Sequence, residues 1–154
     1  MERTGKATAA MFSIRPMAAG DLPATQELLS QLGYPLSNEE LRRRYEAVVG
    51  TANHTLMLAE QAGRVVALCH VYARPSLEKP PEAIVQALVV DLAFRGSGVG
   101  KIMMTAVETW ARDRGFTSVA LTSSVTRAEA HAFYEAIGYQ RAATSHMFRK
   151  YLGS

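Results

Sequence analysis

The chain has 154 residues, of which 48% are hydrophobic and 20% are charged, and its formal net charge is +3. This composition is typical of a folded domain and excludes an intrinsically disordered chain. The small positive charge favours anionic ligands, but because acidic and basic residues are interspersed it does not predict binding to nucleic acid.

Cysteine content and apolar run lengths bear on the compartment. The single cysteine, Cys69, cannot form an internal disulfide, which is typical of a reducing compartment. No apolar run has the length of a transmembrane helix, and the first residues lack the apolar centre of a signal peptide. We therefore expect a cytoplasmic protein with no membrane association, in which residues 1–10 are a disordered tail and residues 11–154 form one domain.

The first half of the chain predicts a strand, two helices and a hairpin. Alternating apolar residues before Pro16 indicate the strand, and two segments with helical spacing follow, which end at Gly33 and Gly50. Two β-rich runs, residues 55–60 and 65–72, flank a short turn that contains Gly63. This is the pattern of a β-hairpin.

Strands and helices alternate in the second half. The run EAIVQALVVDLA, residues 82–93, is apolar almost throughout, as expected for a strand covered on both faces. A helix from about Val99, a strand in residues 116–124, a helix that ends at Gly138 and a last strand in residues 141–152 complete the chain. The order β-α-α-β-β-β-α-β-α-β predicts an α/β protein with a mixed sheet and helices on both faces.

Three alternating glycines, Gly96, Gly98 and Gly100, lie between the apolar strand and the next helix. The first N–H groups of a helix lack intrahelical partners, and glycine lets an anion approach them closely. Arg95 and Lys101 add two positive charges. We therefore predict a loop that holds a pyrophosphate without cleaving it; the alternative is a turn that only tightens the connection.

Two phosphate-binding motifs do not fit this spacing. The dinucleotide fingerprint needs a third glycine where this chain has Lys101, and a P-loop needs its first glycine where this chain has Arg95. Ile102 also replaces the hydroxyl that would bind a metal in a P-loop, so we expect no metal site. A nucleotide-binding protein is thus disfavoured.

The segment RGSGVG resembles the R/Q-x-x-G-x-G/A signature of the GNAT superfamily of acyl-CoA-dependent N-acyltransferases. The preceding LVVD and the later AHAFYEAIGY are similar to two further elements of that superfamily, in the same order. The resemblance extends over about residues 11–152 and implies a GNAT-like fold and acetyl-CoA as the donor. It also implies acetyl transfer to a primary amine by direct attack; the alternative is a domain of the same fold that senses acyl-CoA without transfer.

The resemblance also implies which residues hold the donor. Main-chain N–H groups of the glycine loop would bind the pyrophosphate, and the strand before it would expose its backbone to the pantetheine and the acetyl carbonyl. An N–H on that strand would stabilise the oxyanion, and Tyr134 would protonate the departing thiolate. The implied donor-binding residues are Leu88, Val89, Val90, Arg95, Gly96, Ser97, Gly98, Val99, Gly100, Lys101 and Ser124.

The chain departs from the family pattern in two places. Ser123 and Ser124 stand where the family often has an asparagine before the later helix. Gln86 stands where many members carry a glutamate base on the central strand, and an amide cannot accept the proton of the amine. The base therefore stays unassigned: water could relay the proton, the amine could arrive neutral, and the weaker side-chain candidates are Glu82, His70, His131 and His146.

The acceptor pocket is predicted only in outline. In this fold the first two helices and their connection usually wall the pocket, so Leu32, Tyr34 and Gln86 are candidates. Packing of Tyr34 on the following helix is an equally good interpretation. We expect the acceptor to be a small-molecule or peptide amine, and we expect no nucleic acid or membrane partner. Because homodimers are common in the superfamily, the resemblance also implies a possible homodimer.

Overall fold

The computed structural model describes residues 11–153, which form two compact units divided between Thr122 and Ser123. The first unit contains β1 (Ser13–Pro16), α1 (Leu22–Leu32), α2 (Asn38–Val49), β2 (His54–Gln61), β3 (Arg64–Arg74), β4 (Glu82–Val90), α3 (Val99–Asp113) and β5 (Val119–Leu121). The second contains α4 (Ala128–Ala136). The predicted tail, residues 1–10, lies outside the described residues. No helix in the described part is long and apolar enough to cross a membrane.

The five strands form one mixed sheet in the order β1-β2-β3-β4-β5. The first three pairings are antiparallel, and β4 pairs with β5 in parallel. Parallel neighbours need a crossover, and α3 supplies it. The predicted α/β class with a mixed sheet is confirmed.

A two-residue turn joins β2 to β3. Ala62 and Gly63 have φ angles of 50° and 80°, and they lie between the paired residues Gln61 and Arg64. Positive φ at both central positions is the geometry of a type I′ turn, whose twist matches that of the flanking strands. The predicted hairpin around Gly63 is confirmed.

Both faces of the sheet are covered. On one face α1 and α2 close over a cluster that comprises Met17, Leu22, Leu28, Leu41, Leu58, Leu68 and Val89. Side chains of β3 that point to the other face of the sheet, such as those of Ala67, Cys69 and Val71, have no exposed surface either. They need a second cover, and α3 contacts β2, β3 and β4 while burying Met103, Met104 and Val107. The strands are thus apolar on both sides, as the run in residues 82–93 predicted.

The predicted last strand is absent. Residues 141–152 adopt neither helix nor strand, and Met147, Phe148, Tyr151 and Leu152 are exposed. A strand exists only where a partner accepts its backbone hydrogen bonds, and no strand in residues 11–153 pairs with this segment. The prediction of a strand here was therefore wrong for the single chain.

A half-buried ion pair fixes the start of α1. The Arg15 guanidinium donates to both carboxylate oxygens of Asp21 at 2.8 Å, and Ala18 N donates to the same carboxylate. The hydrogen bond from Arg15 holds the pKa of Asp21 below its usual range. This junction positions α1 over the sheet.

Removing the Asp21 charge should destabilise the fold. We expect Asp21→Asn to lower the free energy of unfolding, because it removes the charge that Arg15 contacts. The loss should be only about 1 kcal/mol, because solvent screens part of the pair. The matched control is Glu40→Gln, which removes a carboxylate that two arginines contact on the surface of α2. Urea denaturation should detect the first change and leave the control at the wild-type value; equal losses would contradict the assigned role.

Candidate active site

A β-bulge bends β4 at Gln86. His70 of β3 lies opposite Ala87, whereas the next residue, Val71, lies opposite Val85, so Gln86 is the extra residue. Its side chain is exposed. A bulge bends its strand and increases the local twist, and it often lies next to an active site.

Beyond the bulge β4 parts from β5. The two strands pair only through residues 83–85 of β4 and 119–121 of β5. No other strand in residues 11–153 pairs with residues 86–90 on that side. The carboxyl half of β4 therefore has one free edge.

Two N–H groups point to that free edge. Asp91 N donates to Val66 O on β3 at 2.8 Å, and N–H groups along a strand alternate in direction. The N–H groups of Leu88 and Val90 must therefore point away from β3. Val89 differs, because its N–H points toward β3 and its side chain is buried in the core, which disfavours a contact with the donor.

Asp91 anchors the turn that follows β4. One carboxylate oxygen accepts from Ala93 N at 2.9 Å, and the other accepts from Arg64 at 3.2 Å. The next amide, Leu92 N, donates to the Gln31 side chain of α1 at 2.9 Å. An aspartate that caps the second residue after it is a turn signal that a sequence can show.

The loop after this turn presents four amides without a partner. Among the described residues nothing accepts a hydrogen bond from the N–H groups of Gly96, Gly98, Gly100 or Lys101. Gly98 is the residue that precedes α3, with φ of 92°, and no side chain caps the helix there. Since unpaired N–H groups and the helix dipole both favour an anion, this loop has the geometry of a phosphate site.

One side chain of the loop stabilises its shape, and two others carry positive charge. The Ser97 hydroxyl donates to Phe94 O and accepts from Val99 N at 3.4 Å, so it holds the loop together. Val99 itself is buried. Arg95 and Lys101 are exposed and form no ion pair with any residue of the described chain, so both are available to an anion.

Two histidines meet on the face of the sheet that α1 and α2 cover. His54 Nδ1 lies 2.9 Å from His70 Nε2, and the His54 ring stacks on Tyr72 with centroids 4.9 Å apart. Burial, with a smaller effect of His54, lowers the pKa of His70 to about 4. The sequence could not predict this pair, because its members are 16 residues apart and meet only through the β2–β3 register.

The second unit holds Ser124 and Tyr134. The Ser124 hydroxyl lies 3.0 Å from that of Thr126, in the turn before α4. Tyr134 is half-buried on α4, and its ring makes edge contacts with Phe133 at 5.1 Å and Tyr139 at 5.9 Å. The expected roles of both residues stay predictions.

The predicted acceptor residues lie in the first unit. Leu32, at the end of α1, packs against the core cluster, whereas Tyr34 on the α1–α2 connection is 63% exposed. Glu82 is engaged, since its carboxylate accepts from Arg74 at 3.1 Å and from Ser118 at 3.2 Å. Gln86 at the bulge is the third candidate.

Two surface depressions lie beside α1. One of about 250 Å³ lies along α1 beside Pro35, and one of about 450 Å³ lies between α1 and the β2–β3 turn. Neither includes the unpaired amides or the free edge of β4. The unpaired amides, and not these two depressions, locate the site.

Comparisons with known proteins agree with this geometry. The sequence profile of the Acetyltransferase (GNAT) family matches residues 22–139. YhdJ of Bacillus subtilis, an uncharacterized N-acetyltransferase, is 31% identical over 124 residues, which are 80% of this chain and 86% of that protein. The aminoglycoside N(6')-acetyltransferase type 1 of Stenotrophomonas maltophilia is 26% identical over 132 residues, 83% of this chain and 86% of that protein.

A solved structure extends the likeness to the fold. The aminoglycoside N-acetyltransferase AAC(6')-Iy in complex with CoA superposes with a TM-score of 0.82 at 20% identity, over 90% of this chain and 94% of that one. A likeness at this identity concerns the fold alone. With the family profile, the unpaired amides and the free strand edge, it follows that the chain belongs to the acetyltransferase (GNAT) family and is an N-acetyltransferase that uses acetyl-CoA as its donor.

Proposed function

We propose that the chain acetylates a primary amine of a small molecule, of the amino-sugar class, by direct attack on the thioester of acetyl-CoA. The observation that carries the donor side is the row of unpaired amides in residues 96–101 beside the free edge of β4. The acceptor class rests on the aminoglycoside acetyltransferase that aligns with most of the chain. The expected homodimer and cytoplasmic location stay predictions.

The glycine loop binds the pyrophosphate in this proposal. The N–H groups of Gly96, Gly98, Gly100 and Lys101 donate to phosphate oxygens, and the Arg95 and Lys101 side chains add charge. Asp91 and Gln31 already satisfy the neighbouring amides, so the loop is held in shape before the anion arrives. A site prepared in this way binds without the cost of ordering it.

The free edge of β4 holds the reacting group. The N–H of Leu88 or Val90 donates to the acetyl carbonyl and stabilises the oxyanion as the amine attacks. The C–N bond forms, the C–S bond breaks, the nitrogen loses a proton and Tyr134 gives one to the departing thiolate. An acetyl-cysteine intermediate is disfavoured, because Cys69 is buried and burial raises the pKa of its thiol to about 12.

The acceptor side is formed by the α1–α2 connection and the bulge. Tyr34 offers an exposed aromatic ring at this connection, and Gln86 offers an exposed amide at the bulge. An aromatic face and an amide are the groups that a sugar ring and its hydroxyls can contact. They support an amino sugar over a purely apolar amine.

Thiol release tests the proposal. Purified protein, acetyl-CoA and one of four amines are mixed with a thiol-reactive dye; the amines are neamine, glucosamine 6-phosphate, spermidine and a short peptide with a free amino terminus. We expect the amino sugars to have a kcat/KM at least about tenfold above that of the peptide. Preference for the peptide would contradict the acceptor class, and CoA binding without thiol release would contradict the transfer.

A further inference from the structure

The reaction needs a proton acceptor that the bulge does not supply. Gln86 is exposed at the bulge, and its amide cannot take a proton at neutral pH. Glu82, on the same strand, is held by Arg74 and Ser118. A base for the amine must therefore come from a neighbouring strand or from solvent.

The histidine pair lies one strand away from the bulge. His70 is directly opposite Ala87, the residue next to Gln86, and opposite residues on antiparallel strands have Cβ atoms about 5 Å apart. His70 is two residues after Leu68 on β3, so the two side chains point to the same face of the sheet. Leu68 packs in the cluster under α1 and α2. The His70 ring is therefore on the face where the α1–α2 connection lies.

We propose that His70, paired with His54, is the general base that takes the proton of the acceptor amine, directly or through one water. The inference rests on the proposed function and adds to it the residue that the sequence left unassigned. His54 is then a positioning residue, since it acts through His70.

The pair has the hydrogen-bonding capacity that this role requires. When both rings are neutral, one nitrogen of the 2.9 Å contact donates and the other accepts. When His70 Nε2 is the donor, His54 Nε2 carries a proton and His70 Nδ1 has the free lone pair. An ammonium loses two protons on its way to an amide. The lone pair takes the first before the nitrogen attacks, and the pair returns it to water after the amide leaves; the second replaces the proton that Tyr134 gives to the thiolate. The net reaction converts an ammonium and a thioester into an amide, a thiol and one proton.

The surroundings keep His70 in its basic form. The rings of His54 and Tyr72 lie beside His70, and no carboxylate contributes to its pKa shift. Ala87, the β4 residue opposite, has no titratable group. Burial lowers the pKa of His70 to about 4, so the ring is unprotonated before the acceptor binds, and once protonated it gives its proton to water readily.

The test compares His70→Gln with wild type at two pH values, with acetyl-CoA and neamine, or with the most active amine of the panel should neamine fail. At about pH 7, where an alkylamine is protonated, we expect kcat to fall about 10²-fold. At about pH 9.5, close to the pKa of the amine, the acceptor arrives partly neutral and the defect should shrink below about tenfold. The control is Arg112→Gln, which removes an exposed charge in the last turn of α3 and should leave both rates unchanged.

Further readouts separate a base from a structural role. CoA affinity and the melting temperature should stay near wild type, and His54→Gln, which leaves His70 in place, should cost about tenfold at about pH 7. If His70→Gln does not fold, the same pH comparison on His54→Gln decides. A defect of equal size at both pH values, or none, would overturn the proposal. No thiol release from wild type with any amine would instead refute the proposed function, and the base assignment with it.

Discussion

Replacing Tyr134 with phenylalanine should lower kcat by about 10²- to 10⁴-fold, the usual contribution of a general acid. In the proposed mechanism the phenol gives its proton to the departing thiolate. Without that proton sulfur must leave the tetrahedral intermediate as a free thiolate, so expulsion of the amine competes with the forward reaction. The substitution removes one oxygen and keeps the ring.

The ring itself supports the local structure of α4. Its edge contacts with Phe133 and Tyr139 survive in the phenylalanine variant, because they involve only ring atoms. The main-chain bond from Tyr139 N to Tyr134 O, at 2.9 Å, is also independent of the hydroxyl. A large loss of rate is therefore expected in a variant that keeps these ring and main-chain contacts.

The measurement pairs kinetics with binding. Steady-state thiol release gives kcat, and isothermal titration calorimetry gives the Kd for CoA, which should change less than about threefold because the phenol acts on the thiolate only as it forms. Tyr139→Phe is the matched control: it removes a hydroxyl from the ring that contacts Tyr134. Wild-type turnover by Tyr134→Phe would remove this residue from the mechanism.

The fold followed from local patterns that depend on few residues. Gly63 in a short turn between two β-rich runs specified the hairpin, and the apolar run in residues 82–93 specified a strand covered on both faces. These features were predictable because each is decided within one or two elements. The strand expected in residues 141–152 failed for the opposite reason, since a strand requires a partner as well as a pattern.

The site was predictable in its chemistry and unpredictable in its geometry. Glycines and basic residues at 95–101 indicated an anion site, and the unpaired amides there have the expected form. The sequence did not predict the bulge at Gln86, because a single extra residue leaves the apolar content of the strand unchanged. The His54–His70 contact depends on the register of two strands, which a linear sequence does not display.

Replacing Gly98 with valine should weaken CoA binding by about 10- to 100-fold. Gly98 has a φ of 92°, and a β-branched residue in this left-handed region costs about 1–2 kcal/mol or more. The loop can relieve that strain only by rotating the peptide that carries the unpaired amides. Each 1.4 kcal/mol lost in anion binding then raises the Kd tenfold.

Strain alone would also destabilise the fold, so the control must carry the same strain elsewhere. Gly115 follows α3 at its other end, has a φ of 81° and has open space around the position of a Cβ atom. We expect Gly115→Val to lower the melting temperature as Gly98→Val does and to leave the Kd for CoA at the wild-type value. The two variants therefore differ in which end of α3 is disturbed.

The comparison decides between the two interpretations of the glycine loop. If the glycines only tighten the strand-to-helix connection, both variants should lose stability. Their Kd values for CoA should then be equal. If the amides of residues 96–101 hold the pyrophosphate, Gly98→Val alone raises the Kd. Calorimetric titration with inorganic pyrophosphate and with CoA refines the result, because loss of affinity for both ligands assigns the defect to the anion site and not to the pantetheine edge of β4.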